Sequence, residues 1–103
     1  MALSKSYSQD KKVCRITFIL PKEICENFKE ISILGDFNNW DPHQNKFSNK
    51  NSDGSSSIEL ILDTGKEYQF RYLCDGVIWL NEPEADGESL THFGSAKNSV
   101  IKL

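Results

Sequence analysis

The chain has 103 residues, 38% of them apolar, with 12 basic and 15 acidic side chains and a formal charge of -3. One core is expected at this size, burying roughly two thirds of the unfolded surface, and two domains do not fit. No basic stripe marks a nucleic-acid partner; no apolar run approaches the ~20 residues of a membrane span and no signal-peptide pattern opens the chain, so a soluble, cytoplasmic protein is expected.

Residues 1–11, with "KSYSQDK", read as a flexible N-terminal tail, and residues 12–103 as a single domain. "KVCRITFIL" (12–20) is rich in β-branched and aromatic residues, with Cys14, Ile16, Phe18 and Leu20 alternating with Arg15 and Thr17. That is the pattern of a half-buried strand, ended by Pro21. In "KEICENFKE", Ile24 and Phe28 lie four apart, but the segment is too short for a free-standing helix and reads as a loop with a helical kink. "EISILG" resumes strand character up to Gly35, and Trp40 follows in the turn-rich "DFNNWDP". The run "SNKNSDGSSS" (48–57) has almost nothing to bury and reads as an exposed, mobile connection.

"IELIL" alternates again, and "YQFRYLC" after it has two unlike faces. Tyr68, Phe70, Tyr72 and Cys74 fall on one face and Gln69, Arg71 and Leu73 on the other, because strand side chains alternate with period two. The first set belongs to the core. Asp75-Gly76 predicts a type I′ hairpin turn that folds "VIWL" back antiparallel. A long loop containing Glu82, Glu84, Asp86 and Glu88 leads to the last apolar run, "SVIKL"; lacking the spacing of a calcium loop, the four acids read as a solvated cluster. Several short strands with turn signals between them specify an all-β protein, an immunoglobulin-like sandwich of about seven strands.

Chemistry-bearing patterns are scarce. Cys14, Cys25 and Cys74 are odd in number and scattered, which signals neither a disulfide framework nor a zinc site, and Cys14 and Cys74 occupy apolar strand positions as small hydrophobes. His43 and His92 stand in separate loops without a triad pattern, and no glycine-rich phosphate cradle exists. The chain reads as non-catalytic, with no cofactor and no metal. What remains is aromatic surface in polar surroundings, Trp40 and Trp79. A large aromatic in a small protein is ordinarily a core residue; against that, Phe37 already supplies an anchor at the turn beside Trp40, and Arg71 projects from the face opposite the core set.

"GDFNNWDP", "EYQFRYLCDGVIW" and "FGSAKNSVIKL", in this order across residues 12–103, resemble the glycogen- and starch-binding modules of the early-set sandwich type. These stand at the N-terminus of isoamylase and glycogen-branching enzymes and in the β subunit of the AMP-activated kinase. The resemblance implies an immunoglobulin-like fold and a carbohydrate site in which Trp40 and Trp79 stack on glucose rings and Arg71 contacts hydroxyls, with Phe93, Ser95 and Asn98 completing it. It implies as partner an α-1,4-linked glucan (glycogen, starch or maltooligosaccharides), together with a glucan-metabolising enzyme to be targeted there. Three departures stand out. Phe93 replaces the usual leucine, Lys97 is inserted before Asn98, and one residue more than in the kinase-subunit pattern separates Gly76 from Trp79. The last reverses the facing of Trp79 unless a bulge absorbs it. The competing expectation is a protein-interaction sandwich with a degenerate glycan site, since fold does not fix function.

Overall fold

The computed structural model describes residues 1–48, 50–91 and 96–103. The chain forms an all-β sandwich of two antiparallel sheets. The first sheet has the order β1 (Ala2–Tyr7), β2 (Val13–Leu20), β4 (Ser56–Asp63). The second has the order β3 (Ile31–Gly35), β5 (Glu67–Cys74), β8 (Lys97–Lys102), β7 (Gly87–Leu90), with β6 (Ile78–Leu80) also paired to β5. One short helix, α1 (Lys22–Asn27), bridges β2 and β3 where a kinked loop was expected, and it buries Cys25.

The alternation in the sequence becomes the two sides of each sheet. In β2, Cys14, Ile16, Phe18 and Leu20 are wholly buried, and they face Leu62, Leu60, Ile58 and Ser56 across the β2–β4 ladder. In β5, Phe70, Tyr72 and Cys74 point inward with Ile31 and Ile33 of β3. An aromatic contact ties the layers together, Phe18 of β2 meeting Phe70 of β5 edge-on at 5.3 Å, and within β5 Phe70 meets Tyr72 at 5.9 Å. Such contacts add about 0.5–1.5 kcal/mol each beyond area burial. Cys14, Cys25 and Cys74 are all free and buried. Burial, then the neighbouring Asp75 carboxylate, pushes the Cys74 thiol up to about 11, which keeps it unreactive.

The structure departs from the sequence reading at four further places. Residues 1–11, expected as a flexible tail, instead contain β1, an edge strand in register with β2 from Ala2 opposite Ile19 to Tyr7 opposite Cys14. Lys5 then donates to Asp86 at 2.6 Å and to the Lys102 carbonyl at 3.2 Å, joining one sheet edge to the other. Among the described residues the strands accordingly number eight, with the short β7 arising inside what was expected to be loop. In the serine-rich run 48–57, Ser55 and Ser56 are buried, a bridge pairs Lys50 with Ser56, and Asp53 accepts from both the N–H and the hydroxyl of Ser55; Asn49 lies outside the described residues. Of the four acids between 82 and 88, expected as a solvated loop cluster, Glu82 is only 4% exposed.

Glu82 is buried because a network satisfies it. It accepts from the Tyr72 hydroxyl at 2.7 Å and from the Glu84 N–H at 3.0 Å, while its own N–H donates to the Ser99 hydroxyl at 2.9 Å. Burial and the adjoining carboxylate raise the Tyr72 pKa well above the usual phenol range. These bonds clamp the loop before β7 onto the core. Tyr72→Phe strands a buried carboxylate oxygen, and since hydrogen bonds to charged groups are worth about 1.5–3 kcal/mol, the unfolding free energy should fall by that amount, read as a lower urea midpoint at unchanged slope.

Candidate functional site

The site stands on the outer face of the second sheet. Gln69 and Arg71 of β5 point away from the core, and Asn98 of β8 joins them, its side-chain amide donating to Gln69 at 3.0 Å. The facing of Trp79 is decided at the hairpin. The Val77 N–H donates to the Cys74 carbonyl at 3.1 Å, and Asp75 and Gly76 between them have φ of 51° and 73°, as a type I′ turn requires. The ladder then pairs Cys74 with Ile78 and Leu73 with Trp79, leaving Val77 unpaired and 75% exposed. Val77 is thus the residue that absorbs the extra position, and Trp79 shares the face of Leu73 and Arg71. The Arg71 guanidinium lies 5.2 Å over the Trp79 ring, within cation–π range, and the indole remains 41% exposed.

Trp40 reaches the same face from the loop after β3. Phe37 anchors that loop in the core, within 6.4 Å of Phe18 and of Tyr68. Asn38 is buried and organises the turn: it accepts from the Gly35 N–H at 3.0 Å and donates to the Ile33 carbonyl at 3.0 Å and to Asn45 at 2.7 Å. Asn39 and Trp40 both have left-handed backbones, with φ of 56° and 57°. Asn tolerates that region, but a bulky Trp does so at a cost of about 1–2 kcal/mol. The conformation is held by the Trp40 N–H donating to the Gly35 carbonyl at 3.0 Å and by the indole N–H donating to Asp36 at 3.1 Å. Strain of this kind gathers where a side chain is held out for a ligand.

Together these elements enclose an open concavity of about 570 Å³, with Trp40 and Trp79 beside Arg71, Gln69, Asn98 and Thr91. Four of the six residues expected from sequence therefore meet: Trp40, Arg71, Trp79 and Asn98. Phe93 and Ser95 lie outside the described residues, as does His92. Trp40 is half-buried rather than fully exposed, with its indole N–H bonded to Asp36. Leu34 stands opposite Arg71 in the ladder and so on the same face, where it is buried. The Arg71 Nε is also buried and finds no partner among the described residues.

The sequence reading missed Asp36, Gln69, Leu90 and Thr91, which also line the concavity. Gln69 was within reach, being two residues before Arg71 and hence on the same face. Asp36 carried a weaker signal, four residues before Trp40 in a turn. Nothing marked Leu90 and Thr91, which depend on β7 forming.

Compared with known proteins, the chain matches no protein-family model and no curated protein sequence. Among the described residues, no three His, Cys, Asp or Glu side chains gather to hold a metal ion, and no helix is long and apolar enough to cross a membrane.

Proposed function

We propose that this chain is a non-catalytic module that binds α-1,4-linked glucans such as glycogen, starch or maltooligosaccharides, and that it brings itself or a glucan-metabolising enzyme to the polysaccharide. The observation that carries the reading is the convergence of Trp40, Trp79, Arg71 and Asn98 from separate strands and a loop on one open concavity. Glucose offers an apolar C–H face and a rim of hydroxyls; two indoles suit the face, and a guanidinium with two amides suits the rim. The family resemblance in the motifs points the same way. An indole covering ~100 Å² of sugar face contributes roughly 2–3 kcal/mol gross. After the cost of association the affinity for short oligosaccharides comes to about millimolar, raised on a polymer by repeated sites. The cytoplasm, where glycogen is stored, is the proposed location.

In a native gel containing glycogen, the wild type should be retarded, and Trp79→Ala should lose most of the retardation while keeping its circular dichroism spectrum. A folded wild type that migrates unretarded at high glucan concentration refutes the reading. A second reading, a protein-interaction sandwich, draws on Val77 and Ile78, exposed at 75% and 45% beside Trp79; that outcome would favour it.

A further inference from the structure

The concavity that holds the two tryptophans does not end at Asp36 and Gln69. These two residues also wall a second hollow of about 340 Å³ on the same face, bordered by Glu67, Glu88, Ser89 and Lys102. Its volume is at the lower end of small-molecule sites. The ladders explain why it is open. Val100 stands between Gln69 and Gly87 across β5, β8 and β7, and with no side chain at Gly87 the β7 end of this row stays low. An added Cβ at Gly87 would meet no heavy atom within 4 Å. Val100 itself is buried, at 6% exposure, so the hollow has an apolar base beneath a polar rim.

The rim differs from the tryptophan concavity in its chemistry. It offers no aromatic surface, but carboxylates that accept, an ammonium that donates and a hydroxyl that does both. Lys102 and Glu67 are 3.9 Å apart at more than 60% exposure each, a loose pair that a hydroxyl can enter. Asp36 is already committed, one oxygen to the Trp40 indole and the other to the Gln69 N–H. It therefore serves as the fixed divider between the two hollows. A polymer gripped at an interior position leaves the stacking site at both ends, and on this side its path crosses Asp36 and Gln69.

We propose that a glucan chain stacked on Trp40 and Trp79 continues past Asp36 and Gln69 into this second hollow, where Glu67, Ser89 and Lys102, which share the outer face by ladder register, take the hydroxyls of the next glucose units. The proposal rests on the glucan-binding reading and adds that the module measures chain length. Stacking supplies grip, and the polar extension makes a longer unbranched run bind better than a short one.

Isothermal titration of the full chain with maltotriose and maltoheptaose tests it. The wild type should bind the longer sugar about tenfold more tightly, the low end of the worth of one hydrogen bond to a charged group. Gly87→Phe places a ring over the hollow; it should bind maltotriose as the wild type does and lose the gain with length. Glu67→Ala, at an exposed position on the outer face that does not risk the fold, should lose most of the gain on maltoheptaose and leave maltotriose unchanged. Equal wild-type affinities for the two sugars, or a full length gain retained in Gly87→Phe, overturns the extension while leaving the stacking site intact. Failure of both sugars to bind overturns the glucan reading itself and the extension with it.

Discussion

Gly35→Ala is expected to cost about 3 kcal/mol or more, at or above the upper end of the usual penalty for overpacking, and to lower the melting temperature by about 10 °C or more. The backbone itself would accept alanine, since the φ of Gly35 is -170°, ordinary extended geometry. The obstacle is space. A Cβ there would lie 2.6 Å from the Gln69 carbonyl oxygen, 2.8 Å from the Phe37 ring and 2.8 Å from the Phe70 Cβ. The nearest of these is backbone in the adjoining strand and has no rotamer to escape into, so β3 and β5 must separate locally. Against a total stability of about 5–15 kcal/mol for a domain, that is a large fraction. The damage should reach the site as well, because the Gly35 carbonyl holds the Trp40 N–H and the Gly35 N–H is held by Asn38. Thermal melts and glucan gels on one preparation should therefore show stability and retardation falling together. A variant that melts within 2–3 °C of the wild type, less than the usual shift for 1 kcal/mol at this size, would contradict the close packing at this corner.

The parts of this molecule that were legible in its sequence are those in which one local rule decides the outcome. Period-two alternation in 68–74 separated Phe70, Tyr72 and Cys74 from Gln69 and Arg71, and the burial of the first three follows it. Asp75-Gly76 announced its turn, since only a few residue types tolerate two successive left-handed positions. The parts that were not legible depend on a distant partner. The short run 2–7, with only Ala2, Leu3 and Tyr7 apolar or aromatic, lacks a clear alternation of its own and becomes a strand against the open edge of β2. Glu82 looks like any loop acid until the Tyr72 hydroxyl is brought to it. Trp79 lies between these cases. Its distance from Gly76 permitted either facing, and the placement of the unpaired residue at Val77 chose the outer one. For the same reason Trp40, Arg71, Trp79 and Asn98 could be singled out separately, while their convergence depended on ladder register.

Asp36 offers the strictest test of how that convergence is maintained. Its two oxygens do different work: one fixes the Trp40 indole at 3.1 Å, and the other takes the Gln69 N–H at 2.8 Å, tying the loop to β5. Asp36→Ala removes both. Trp40 then sits in a left-handed backbone without the bond that orients its ring, and re-ordering a freed side chain on binding costs about 0.5–1.5 kcal/mol. With the shift of the loop away from β5 added, glucan binding should weaken about tenfold, equivalent to 1.4 kcal/mol. Asp36→Asn retains a single carbonyl oxygen and can serve only one of the two donors, so its affinity should fall between alanine and wild type. Tryptophan fluorescence separates a positioning role from a merely structural one. Freeing the Trp40 indole should make emission redder and more accessible to acrylamide in the order alanine, asparagine, wild type, and binding should follow that order even where the melting temperatures of the two variants coincide. Glucan affinity that tracks melting temperature, and not indole accessibility, would reduce Asp36 to a brace for the loop.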